Sequence, residues 1–276
     1  MGSRSALRSV GWALLLVGAG MNCAWSQSAQ RPAGARDSDI ERVVTKAMET
    51  FSVPGVAVGI VKDGRLVFSR GYGVRDVGKP AQVDADTIFA IASNTKAFTA
   101  AALAMLVDEG KLGWDDRVVD HLPQFRLADA YVTQEFTVRD LLTHRSGLGL
   151  GAGDLMMFPH TDFTRAELMA NLRHLPFASS FRSTYAYDNL LYIVAGELVP
   201  AVTGTSWEDF VEKRILQRVK MAPCAVVRER LQGTTNIATP HAVVEGKLVA
   251  VLPDDVSTGA PAGRSEEHTS ELQSPI

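Results

Sequence analysis

Residues 86–109 read DTIFAIASNTKAFTAAALAMLVDE, and the second half of that stretch is apolar all the way round. Phe98, Ala101, Leu103, Met105, Leu106 and Val107 fall on every face of a 3.6-residue helix. A helix with no polar face is normally buried, so the spacing predicts one running through the middle of the fold. Ser93 stands where this helix begins and Lys96 one turn later, which puts both side chains on one face. Unpaired backbone N–H groups and the positive dipole end gather there, favouring negative charge that develops near Ser93. Burial also lowers the pKa of a lysine and lets it act as a base. A nucleophilic hydroxyl and its proton acceptor is the chemistry this pair points to. The bland alternative makes Ser93 a helix cap and Lys96 a solvated first-turn charge, because an isolated S-x-x-K is a weak signal.

Outward from the helix, the elements fall into three blocks. Before it, residues 40–50 have the period of an amphipathic helix, with Val43, Val44 and Met48 on one side. Residues 56–61 and 65–71 read as strands joined by Asp63-Gly64, a strong two-residue hairpin signal. Gly71-Tyr72-Gly73 permits a bend or a close backbone approach, and residues 87–91 are extended. Gly110 stops the central helix.

After it, the texture is helical. Thr137 can cap a helix carrying Leu141 and Leu142, followed by a flexible loop marked by Gly147, Gly149, Gly151 and Gly153. Thr164 and Glu167 form a capping box for a helix that Pro176 closes. Asp188 opens another through Leu190, Leu191, Ile193 and Val194, which Pro200 should bend or end. Ser206 and Asp209 open a fourth, and residues 243–251 form a hairpin around Glu245-Gly246. Sheet, helices and sheet again imply an α/β (α+β) body with a helical insertion.

At 276 residues and 46% hydrophobic content, the chain can bury a sizeable core. Its formal charge of −3 and the lack of a basic run argue against a nucleic-acid partner. Two cysteines, Cys23 and Cys224, and no Cys/His cluster give neither an internal disulfide nor structural zinc spacing, and no metal or cofactor is expected. Arg4 and Arg8 precede GWALLLVGAG (residues 11–20), and Ala24-Trp25-Ser26 offers small residues before a cut at Gln27. Residues 1–26 therefore read as a signal peptide, 27–37 as a linker, and a periplasmic or secreted location with no stable membrane anchor is expected. Residues 264–274, RSEEHTSELQS, read as translated sequencing-adapter sequence, so 264–276 are set aside and His268 with them.

A second constellation, Tyr187-Asp188-Asn189, offers a phenol that could relay a proton and an amide that could meet a carbonyl. Taken alone, these are as readily a packed aromatic and a helix cap. Taken with SNTK inside TIFAIASNTKAFTA and with LLTHRSGL (141–148), YDN resembles the serine β-lactamase/penicillin-binding superfamily, nearest its class C-like serine hydrolases. The resemblance covers residues 40–263. It implies a β-lactamase/transpeptidase-like fold, with an antiparallel sheet flanked by helices.

It also implies Ser93 as the acylated nucleophile, with Lys96 and Tyr187 sharing general-base and general-acid duty. Asn189 would be a substrate-side hydrogen-bond donor, and the Ser93 N–H one arm of an oxyanion hole. His144 would belong to the wall of the site rather than to the chemistry. The substrate implied is a β-lactam, a D-amino-acid peptide or a short-chain ester; a penicillin-recognising sensor that acylates without turnover is the alternative. The family's third motif, a strand with Lys or His, a small residue and Gly, would fall after Gly263. Residues 38–263 thus read as a partial domain lacking the C-terminal part of its sheet, expected to be inactive by itself. Lys220, where a glycine is usual, and Pro200 are smaller departures. No serine has glycine at both −2 and +2, as an α/β-hydrolase elbow would require, and there is no H-E-x-x-H or Walker A sequence.

Overall fold

The structure, a computed structural model, describes residues 36–158, 161–221, 224–231, 233–251, 257–263 and 266–268. The expected signal peptide, most of the linker and most of the adapter-like tail lie outside the described residues.

The chain enters through α1 (Asp37–Phe51), closed by Ser52 in the left-handed conformation. The antiparallel hairpin of β1 (Gly55–Lys62) and β2 (Arg65–Gly73) follows, turning at Asp63 and Gly64 with φ of 50° and 71°. Two consecutive positive-φ residues make the hairpin turn whose twist matches the flanking strands. Gly71 packs its backbone onto Val83, where a Cβ would stand 2.3 Å from the Val83 carbonyl oxygen, so the predicted close approach is present. Then come β3 (Ile88–Ala90), a 3-10 turn over Ala92–Asn94 and α2 (Thr95–Asp108). The turn is the difference from the sequence reading: Ser93 lies in a 3-10 turn just ahead of the α-helix rather than in its first turn.

Two short helices, α3 (Val118–His121) and α4 (Ala130–Glu135), lead to Asp140–Leu142. Thr137 caps only a single 3-10 turn there, where a longer helix was expected. The Asp140 carboxylate takes the Thr137 N–H and hydroxyl and also pairs with Arg182. His144, at φ 55°, then carries the chain out of helical geometry. The Thr164–Glu167 capping box is present at the head of α5 (Arg165–Asn171), which tightens to a 3-10 turn through His174.

Helix α6 (Leu190–Thr203) tolerates Pro200 one turn before its end, since Gly204 closes it in the left-handed conformation and bonds to the Pro200 carbonyl. Ser206 caps α7 (Trp207–Val211), which continues through a π-helical turn into α8 (Gln217–Val219). The hairpin of β4 (His241–Val244) and β5 (Lys247–Ala250) and a last short helix, α9 (Ala260–Gly263), complete these elements. β3 pairs antiparallel with β6 (Glu266–His268), so among the described residues the sheet component is three two-stranded antiparallel pairs.

The core forms where α2, α6, α7 and α9 meet. Ala102, Leu103 and Leu106 of α2 pack into one apolar cluster with Leu190, Ile193, Val194, Leu198, Trp207 and Val211. Each fully buried leucine-sized side chain there contributes about 2 kcal/mol. Arg165 ties the α9 end to this body, donating to the Thr258 carbonyl at 2.9 Å and the Ser257 carbonyl at 3.1 Å while pairing with Glu208. That tether sets where the backbone carbonyls of α9 meet the head of α2. Among the described residues no single helix is long and apolar enough to cross a membrane.

Candidate active site

At the head of α2 the chain puts an exposed hydroxyl beside a buried amine. Ala92 adopts φ 46°, an uncommon conformation for a residue with a Cβ, and the Thr95 hydroxyl ties the turn by donating to the Ala92 carbonyl at 2.7 Å. Ser93 is thereby exposed, while Lys96, one turn on, is 8% exposed. Lys96 Nζ lies 3.3 Å from Ser93 Oγ. From the head of α6, Tyr187 brings its hydroxyl 2.6 Å from the same Ser93 oxygen. The structure thus brings together three groups that are 94 residues apart in sequence at their widest.

Lys96 Nζ also donates to Asn189 Oδ1 at 2.8 Å and to the Ala262 carbonyl at 2.6 Å. Burial pulls its pKa down to about 8, against the opposing fields of Asp154 and Asp188. As a neutral amine, Lys96 would keep two hydrogens on Asn189 and Ala262 and aim its lone pair at the Ser93 hydroxyl. That is the geometry a general base needs.

Burial pushes the Tyr187 phenol up, and only the Ser93 hydrogen bond opposes it. Lys96 Nζ lies over the Tyr187 ring, 4.6 Å from its centroid, rather than beside its oxygen. The phenol therefore stays protonated and serves as a donor to Ser93 Oγ.

His144 stacks on Tyr187, with ring centroids 4.4 Å apart and planes at 27°. Its Nδ1 accepts the Asp188 N–H at 3.1 Å, and burial with the nearby Lys96 charge pulls its pKa down. A neutral imidazole propping the phenol ring agrees with a place in the wall of the site. The wall is stitched by Ala186 N–H to the His144 carbonyl at 2.9 Å and Arg182 N–H to the Arg145 carbonyl at 2.8 Å.

Asn189 sits differently from the substrate-side donor implied by resemblance. Its Nδ2 faces the Asp154 carboxylate, 3.1 and 3.2 Å from the two oxygens, so in this structure the amide links Lys96 to Asp154. The loop holding Asp154, expected to be flexible, is pinned at both ends by Leu148 and Met157, each 1% exposed.

Asp154 is the residue the sequence reading missed; Asp188, read there only as opening a helix, does so and also carries a buried carboxyl. Asp188 is fully buried; its Oδ1 accepts the Leu191 N–H at 3.2 Å and its Oδ2 has no partner, and burial lifts its pKa to about 7. Asp154 lay among the loop glycines, and its one signal was a carboxylate in an otherwise small and apolar segment.

An exposed serine with a buried lysine below it and a tyrosine hydroxyl above it, at the head of a helix inside an α+β body, defines the class of β-lactamase-fold proteins. A family model described as Beta-lactamase matches residues 40–263, and the chain belongs to that family.

Two relatives and two solved structures fill in the neighbourhood. The chain is 33% identical over 193 residues to "Unguisins hydrolase ungD" of Aspergillus violaceofuscus, covering 67% of this chain and 34% of that protein. It is 29% identical to "Protein flp" of Staphylococcus aureus over 66% of this chain and 36% of the relative. The chain thus spans about a third of the length of these curated relatives. The octameric penicillin-binding protein homologue from Pyrococcus abyssi superposes with a TM-score of 0.75 at 27% identity, over 85% of this chain and 54% of that one. A class C β-lactamase superposes at 0.68 and 21% identity, over 87% and 64% respectively, and shows the shared fold.

Proposed function

We propose that the protein is an exported serine hydrolase that opens an amide or ester through an acyl-enzyme on Ser93. The observation that supports this reading is the convergence on Ser93 Oγ of the Tyr187 hydroxyl at 2.6 Å and Lys96 Nζ at 3.3 Å. Neutral Lys96 takes the Ser93 proton as Oγ bonds to the substrate carbonyl carbon. The tetrahedral oxyanion faces the Ser93 N–H. As it collapses, the carbon–nitrogen or carbon–oxygen bond breaks, the leaving group takes the Tyr187 hydroxyl proton, and solvent water carries the proton held by Lys96 back to the phenolate. Water then attacks the ester on Ser93, giving its proton back through the same pair and releasing the acid. The substrates that fit this chemistry are β-lactams, D-amino-acid peptides and short-chain esters. The run of residues 11–20 behind Arg4 and Arg8 supports export.

The test is made on the full-length protein. It is incubated with a chromogenic cephalosporin and a p-nitrophenyl short-chain ester, while turnover and intact mass are followed. Steady turnover lost in Ser93→Ala is the expected result. A stoichiometric adduct on Ser93 without turnover would make the protein a penicillin-recognising sensor, and the absence of both turnover and adduct would overturn the acyl-enzyme reading.

A further inference from the structure

Asp154 has no part in the chemistry above, yet it is placed against it. Gly153 precedes it at φ 80°, and a Cβ there would stand 2.4 Å from Leu190 Cδ1. The loop therefore runs hard against the first turn of α6, the turn that Asn189 immediately precedes. The Gly151 N–H donates to the Tyr187 carbonyl at 2.8 Å, and the Met157 and Phe158 N–H groups both donate to the Asp154 carbonyl at 2.8 Å. The carboxylate is thus held by backbone on both sides of it. Its two oxygens accept from Asn189 Nδ2 at 3.1 and 3.2 Å, which leaves Asn189 Oδ1 to accept from Lys96 Nζ at 2.8 Å.

A primary amide can present either end to a neighbour. Here a flipped Asn189 would oppose Oδ1 to a carboxylate and, while Lys96 is protonated, Nδ2 to its ammonium. With Asp154 absent, only the amine would choose between them, and a neutral amine accepts as well as donates. A neutral Lys96 could then take a hydrogen from Nδ2 with the lone pair that Ser93 needs.

We infer that Asp154 is the positioning residue of the site: by holding the Asn189 amide in one orientation it keeps the Lys96 lone pair aimed at Ser93. Its charge, from the same place, favours the protonated amine against the larger effect of burial. This rests on the acyl-enzyme reading. The groups facing Lys96 are Asp154 from the loop, Asp188 and Tyr187 before α6, Tyr192 within α6 with its ring 5.2 Å from Nζ, His144 from the wall, and the Ala262 carbonyl from α9. Of the two carboxylates that raise Lys96, Asp154 is the larger influence, and it is the one bonded to the lysine's own partner.

Two variants separate charge from orientation. Asp154→Asn keeps an acceptor for Asn189 Nδ2 and removes the charge; Asp154→Ala removes both. Lys96 is titrated by NMR in full-length protein carrying 13C-labelled lysine, its resonance assigned by loss in Lys96→Arg, and kcat/KM for p-nitrophenyl acetate is followed against pH. Both variants should titrate Lys96 below the wild-type value and move the acid limb of the profile to lower pH. Asp154→Ala should also lose about 10- to 100-fold in kcat with little change in KM, while Asp154→Asn recovers most of that loss. An unchanged Lys96 titration in both variants, or equal rate losses with an unmoved acid limb, would overturn the inference. A wild-type protein that never acylates would instead remove the reading beneath it, and the NMR titration tells those two failures apart.

Discussion

Lys96 Nζ and Asn189 Oδ1 stand 2.8 Å apart, so the amine at the head of α2 is held by the residue immediately before α6. Two core-forming helices therefore meet through the reacting groups, and packing between them decides the geometry of the chemistry. Burial of the same amine pulls its pKa to about 8. Since the neutral form reacts, its fraction falls about tenfold for each pH unit below that value. Acylation of Ser93, followed by intact mass, should rise through pH 8 and then level. Lys96→Arg cannot supply a neutral base. It should lose about 10²- to 10⁴-fold in acylation rate with no alkaline rise, and a retained rise would remove Lys96 from the role of base.

Tyr187 can be tested without disturbing its ring. Tyr187→Phe keeps the stack on His144 and removes only the hydroxyl that donates to Ser93 Oγ at 2.6 Å. Turnover of an ester with a poor leaving group should fall by about 10²- to 10³-fold, and an activated p-nitrophenyl ester should suffer less. Equal losses on both substrates would argue that the phenol positions Ser93 rather than protonating the leaving group.

Asp188 makes a stability prediction with a defined sign. Burial lifts its carboxyl from 3.8 to about 7, so between those values the folded state binds more protons than the unfolded one. Stability from this group is fully present below pH 3.8 and is lost as pH rises toward 7, by on the order of 4 kcal/mol across the window. His144 works the other way: its pKa lies below 6.5, so its contribution is lost as pH falls below that value. Comparing wild type with Asp188→Asn isolates the aspartate, since the variant retains an acceptor for the Leu191 N–H. Thermal melts from pH 4 to 8 should show a flatter profile for the variant; parallel profiles would mean that Asp188 does not titrate in the folded state.

How far the sequence carries is clearest at these same residues. Ser93, Lys96 and Tyr187 were legible because S-x-x-K ahead of a wholly apolar helix is a local pattern, and the fold brings YDN to it. The hairpin turns at Asp63-Gly64 and Glu245-Gly246, and the Thr164 capping box, were legible for the same reason: a few adjacent residues fix each. Asp140 was not, because its effect depends on Arg182, 42 residues away. Their bond, at 2.9 and 2.6 Å to the two carboxylate oxygens, ties the single turn at Asp140–Leu142 to a distant segment. The orientation of Asn189 was hidden likewise, since it is decided by Asp154, 35 residues distant.

That Arg182–Asp140 pair holds the wall carrying His144. Arg182→Ala would leave the largely buried Asp140 carboxylate with its Thr137 bonds alone. Because the guanidinium is half exposed, the loss should be modest, about 2 kcal/mol in chemical denaturation. A change within about 0.5 kcal/mol would place this pair with ordinary surface contacts.

Gly196 connects the core to the amine most directly. A Cβ at this position in α6 would stand 2.5 Å from Pro261 Cγ and 2.6 Å from its Cβ, both atoms of a rigid ring that cannot swing aside. The Pro261 and Ala262 carbonyls accept from the Thr99 hydroxyl and from Lys96 Nζ, each at 2.6 Å. Gly196→Ala gains helix propensity of roughly 1 kcal/mol yet must push α9 away from α6, shifting it along the head of α2. Overpacking of this kind costs about 1–3 kcal/mol, so the net effect on melting should be small or destabilising. The effect on the amine should be larger than the effect on the fold. With the Ala262 carbonyl displaced, Lys96 loses one of the two acceptors that orient its lone pair, and acylation of Ser93 should slow by about tenfold while far-ultraviolet circular dichroism stays unchanged. A variant that melts early but acylates at the wild-type rate would show that α9 supports the fold without holding the amine.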